Sequence, residues 1–152
     1  MEDEKTHQGE NIMRSTVEIE AAQAKLIAVQ TGAVPMPDEF YHPTKKYRLE
    51  CMAKEMARIL TLAPGETVEN RRAVADRLLR RLLAASPGTR ASLIAYQRGA
   101  EEIWLPKWCV NLITMVSVLD WALGNPGGEN IAENLSVIDA YSAVGNHNAR
   151  EA

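Results

Sequence analysis

Arg71, Arg72, Arg77, Arg80 and Arg81 crowd one short stretch of the chain. A guanidinium is planar, stays charged, and donates two parallel hydrogen bonds to a phosphate or carboxylate, so such a cluster is suited to gripping a polyanion. On a helix, Arg77, Arg80 and Arg81 stand at i, i+3 and i+4 and share a face. Arg71 and Arg72 point toward the flanks of the apolar stripe and join that face only if the first turn is exposed. Arg90 and Arg98 downstream, with Lys45, Lys46 and Arg48 upstream, are candidates for the same basic surface. Nucleic acid is the polyanion expected. The competing readings are ion pairs with acidic surfaces of a neighbouring copy and ordinary solvated helix decoration.

Other chemistry finds little support. Glu39 and His42 have a Glu-x-x-His spacing that can ligate di-iron on a bundle helix, but the only other such pair is Glu4 with His7, and Pro43 follows His42 directly. Neither Cys-x-x-Cys nor His-x-x-x-His occurs, so no metal is expected. Cys51 and Cys109 fall in apolar helical stretches and read as small buried, reduced thiols rather than nucleophiles. Glu101 and Glu102 are adjacent and diverge on a helix, so they do not share one substrate. Phosphate-cradling glycine loops are absent, and Gly124–Gly128 carries neither Lys nor Ser/Thr. No catalytic residue, cofactor or small-molecule substrate is expected, and the chain is read as a non-enzyme.

The elements that would position the arginines are helices. Ser15 and Glu18 have capping-box spacing and open a first helix with Ile19, Ala22, Leu26 and Val29 on one face, stopped near Gly32. Residues 33–43, with Pro35 and Pro37, form an extended linker or arm whose Phe40 and Tyr41 need an apolar dock. A second helix runs from Thr44 to about Leu62, with Leu49, Met52, Met56 and Ile59 as its stripe, and Pro64-Gly65 breaks it. Thr67 caps a third over Val68–Ala85, whose stripe is Val74, Leu78, Leu82 and Ala85, widened by Ala75, Leu79 and Leu83. Ser86-Pro87-Gly88-Thr89 turns the chain into a fourth helix, about Arg90 to Trp104. The connection fits a helix-turn-helix, although the third helix is long for that motif. Trp108–Leu123 is apolar almost all round and should be central. Asn130 and Glu133 open a sixth helix, stopped at Gly145.

No alternating run bounded by hairpin turns survives, so the expected fold is all-α: a single compact bundle or orthogonal array of five to six helices over residues 14–145, with polar tails at 1–13 and 146–152. The 152 residues, 46% hydrophobic and 24% charged, suffice for one core and exclude a disordered chain, a disulfide scaffold and a fibre. Trp108–Leu123 is too short and polar for a bilayer, and the acidic N-terminus does not resemble a signal peptide. The expected location is therefore cytoplasmic, or within a virion or assembly.

The net charge of −3 hides an asymmetry. Residues 1–40 carry three basic and eight acidic side chains, residues 41–100 twelve and five, and residues 101–152 two and seven. Such segregation favours a polyanion partner or opposite-sign self-association. Val34, Met36, Phe40, Tyr41, Leu79 and Leu83 are the candidate interface residues, the first four as an exchanged arm. The function expected is that of a helical binding or assembly protein of coat, nucleocapsid or packaging type. It would self-associate and contact nucleic acid through its basic middle. The alternatives are a protein–protein adaptor or small regulator without nucleic acid, and a helix-turn-helix regulator.

Overall fold

The Ser15 hydroxyl accepts the Glu18 N–H and the Glu18 carboxylate accepts the Ser15 N–H, so the expected capping box opens the first helix. This geometry comes from a computed structural model of the chain, which describes residues 13–35, 38–41, 43–100 and 103–151. Among these, the regular elements are six α-helices and no strand: α1 (Thr16–Gln30), α2 (Pro43–Leu60), α3 (Val68–Ala84), α4 (Pro87–Gln97), α5 (Lys107–Leu123) and α6 (Glu129–Glu151). Short 3-10 turns at Asp38–Tyr41 and Pro126–Gly128 lead into α2 and α6. The all-α fold expected from periodicity is the fold observed.

Helix α5 is the hub. It packs against α2, α3, α6 and the Pro126–Gly128 turn. One core cluster joins Leu26 of α1, Leu49, Met52 and Met56 of α2, Val118 and Leu119 of α5, and Ile131 and Ile138 of α6. Each such side chain removed from water contributes about 1.5–3 kcal/mol before entropy is charged against it. Phe40 is fully buried in this cluster, so at this point the segment between α1 and α2 docks on its own chain. A smaller cluster gathers Leu93, Leu105, Cys109 and Val110, with Tyr47, Leu83 and Trp108 against it. Cys51 and Cys109 are free and buried, and burial pushes both thiols up, which leaves them poorly nucleophilic.

Expectations for three helices require correction. Helix α4 does not reach Trp104. It starts with Pro87 at its first turn and ends at Gln97, because Gly99 takes a φ of 91°, which a helix cannot continue through. Trp104 stands 76% exposed beyond it. Helix α6 emerges directly from the 3-10 turn at Glu129, so Asn130 is inside the helix rather than its cap. Gly145 also lies within α6, since one interior glycine costs only about 1 kcal/mol.

The third correction concerns α3. Of its residues only Val68 and Ala75 are buried, while Val74 is 56% and Leu78 42% exposed. Leu79, Leu82 and Leu83 are half-buried and Ala85 is exposed. The buried line is Val68 and Ala75, while Leu83 packs against the Leu93–Cys109 cluster, so the Val74–Leu78 centre of the expected stripe is not the face that docks. The small Ala75 side chain suits close approach to α5. The apolar arc of α3 is wider than one neighbour can cover, so its Val74–Leu78 edge is left in solvent.

Candidate functional site

The ten basic residues expected to act together separate into three groups. The first is held inside the chain. Arg71 Nε and Nη2 each donate to the buried Glu55 carboxylate at 2.9 Å. Arg72 Nε donates to buried Asp120 at 2.7 Å, and this hydrogen bond raises the Arg72 pKa against its partial burial. The first turn of α3 therefore faces inward, and these two arginines brace α3 against α2 and α5. The second group is local or buried. Arg80 pairs with Asp76 one turn earlier at 3.0 Å, Lys45 donates to Asn134 at 3.3 Å and lies over the Phe40 ring, and Arg48 is buried. The third group, Arg77, Arg81, Arg90 and Arg98, is exposed and pairs with no carboxylate among the described residues. Lys46 is exposed as well.

Of the expected interface residues, Phe40 is in the core, Val34 packs partly against it, and Leu79 and Leu83 are half-buried. Met36 and the Tyr41 side chain lie outside the described residues. So do residues 1–12, His42, Glu101 and Glu102, and with them the two Glu-x-x-His pairs.

Two surfaces were not legible as sites. Beside α3 runs a groove of about 350 Å³ whose walls include Val74, Ala75, Leu78, Leu112 and Met115. Arg77 and Arg81 lie three positions beyond Val74 and Leu78, so they border the exposed edge of α3. On α1, Val17, Glu20, Ala24 and Ile27 recur at i, i+3, i+7 and i+10 and are all exposed, Val17 by 73%. They lie away from the buried Ile19–Ala22–Leu26–Val29 face. The signal was present in the sequence: α1 is apolar on both sides, and a monomer has use for one.

Burial pushes the Glu55 carboxyl up from its ordinary value, and the Arg71 charge and hydrogen bonds take back part of that rise. A carboxyl raised on folding holds its proton more tightly in the folded chain. Its stabilising contribution is complete below the unfolded carboxylate range and is lost as pH rises through the folded pKa. The stability advantage of the natural chain over Glu55→Gln is therefore expected to shrink as pH rises above the ordinary carboxylate range. Urea midpoints from that range upward check it. An advantage that grows with pH would mean that Arg71 outweighs burial.

No group of three or more His, Cys, Asp and Glu side chains gathers at metal-binding distances among the described residues, and none of their helices is long and apolar enough to cross a membrane. Among the described residues, the fold is an all-α helical array with two exposed apolar faces and a set of arginines without carboxylate partners. No protein-family model, curated protein or solved structure matches the chain.

Proposed function

We propose that the protein is a non-enzymatic helical assembly protein whose copies join head to tail, the outer face of α1 of one copy seated in the α3 groove of the next. The observation that carries this reading is the pair of exposed apolar faces, Val17–Ala24–Ile27 and Val74–Leu78, on different helices of one chain. Large apolar side chains gathered on one exposed face of a small protein suit a contact site. The charges complement each other: Glu20 runs along the α1 face, and Arg77 and Arg81 border the α3 edge. Because the two faces differ, the contact is heterologous and propagates into a ring or a filament.

Sedimentation of the full chain with two surface variants tests the reading. Val17→Glu and Leu78→Glu should each reduce the natural oligomer to monomers. Mixed in equal amounts they should form a dimer and nothing larger, since each retains the half that the other lacks. A natural chain that stays monomeric at high concentration, or a mixture that stays monomeric, sinks the proposal.

Contact with a polyanion is a second reading, favoured by the four arginines without carboxylate partners among the described residues. If it holds, random oligonucleotides bind at low salt, and affinity falls steeply as salt rises.

A further inference from the structure

Arg48 sits on the packed side of α2 next to Leu49, and only 6% of it reaches solvent. Its guanidinium pairs with no carboxylate among the described residues, and its Nε is buried without any hydrogen-bond partner. It lines a cavity of about 310 Å³ where four helices converge: Tyr96 and Gln97 from α4, Ile113 and Ser117 from α5, and Asn130 from α6. Asn130 also presents a buried Oδ1 without a partner. Among the described residues, no acidic side chain lines the cavity.

A lone buried charge is costly, and natural folds leave few buried polar atoms unmet. Here an unmet cationic donor and an unmet acceptor line the same cavity. Water alone would satisfy the hydrogen bonds and leave the charge uncompensated. A single cation with neutral neighbours matches a monoanion better than a dianionic phosphate. The volume lies at the small end of ligand pockets.

We infer that this cavity binds a small monocarboxylate. The carboxylate is met by the Arg48 guanidinium, and a hydroxyl or amine N–H of the same ligand donates to Asn130 Oδ1. The pocket lies apart from the α1 and α3 faces and does not rest on the assembly reading.

The test is a titration of the full chain with L-lactate, followed by NMR at the Arg48 Nε–Hε group, with neutral lactamide and inorganic phosphate as comparison probes. Lactate should produce a saturable shift with a midpoint in the millimolar range, as suits so small a ligand, and lactamide none. Two variants localise the site by the thermal shift that lactate confers on the natural chain. Arg48→Met should remain helical, melt no lower than the natural chain, and lose that shift. Ser117→Leu should fill the cavity and lose it with Arg48 in place. No saturable shift with lactate, an equal response to lactamide, a response to phosphate alone, or a lactate response retained in Ser117→Leu would each overturn the inference.

Discussion

Asp120→Ala is expected to lower the unfolding free energy by roughly 3 kcal/mol, read as a fall in urea midpoint with an unchanged slope. Asp120 is buried on α5, where it accepts Arg72 Nε at 2.7 Å and Asn125 Nδ2 at 3.0 Å. Its removal strands both donors. About a third of the Arg72 side chain remains in solvent, which holds the loss to the lower end of what breaking a buried pair costs. Asp76→Ala provides the contrast. It removes an i,i+4 pair whose arginine is largely exposed, worth about 0.5 kcal/mol or less. If the two variants lose the same amount, Asp120 does not brace the interior. Because Arg72 belongs to α3, the Asp120 pair also sets the seat from which Val74 and Leu78 are presented. A weakened seat should raise the concentration needed for assembly.

Gly128→Ala is expected to cost about 3 kcal/mol or more, the upper range for forcing volume into a packed site. Gly128 is buried at the end of the turn before α6, and a Cβ there would overlap the backbone of Trp121. Backbone inside a helix cannot swing aside as a side chain can, so α5 and α6 must separate. Trp121 is also where the residues leading into α1 are tied down. Arg14 donates from Nε to the Trp121 carbonyl at 2.9 Å and lies over its ring at 4.6 Å, so the disturbance should spread to the start of α1. Gly88→Ala is the control. It sits in the first turn of α4 with open space around its Cβ position, and alanine there should be neutral or slightly stabilising. Equal thermal melting of Gly128→Ala and the natural chain would show that the α5–α6 junction yields easily.

Much of the architecture was legible in particular residues. Ser15 with Glu18 and Thr67 with Asn70 are caps whose partners lie three positions away, so sequence alone reveals them. The apolar run from Trp108 to Leu123 is central because no face of it is polar enough to meet water. Sequence and structure part where two signals compete. Asn130 has capping chemistry, but a 3-10 turn already delivers the chain in helical direction. Trp104 has helical spacing, but Gly99 ends the helix first.

The arginines mark the boundary between what is local and what is not. Sequence by itself determined that twelve basic residues lie between positions 41 and 100, that α3 is amphipathic, and that Arg77, Arg80 and Arg81 share a face. Those properties follow from composition and a 3.6-residue period. Only the tertiary structure decided that Arg71 is held by Glu55, 16 positions away, Arg72 by Asp120, 48 positions away, and that Arg48 is buried without a carboxylate partner among the described residues. It also decided that the Val74–Leu78 edge of α3 is left open. Helix period limits which side chains can share a face, but the rotation at which a helix docks is chosen by packing against residues far along the chain. A shift of one position on α3 exchanges the buried Ala75 for the exposed Val74.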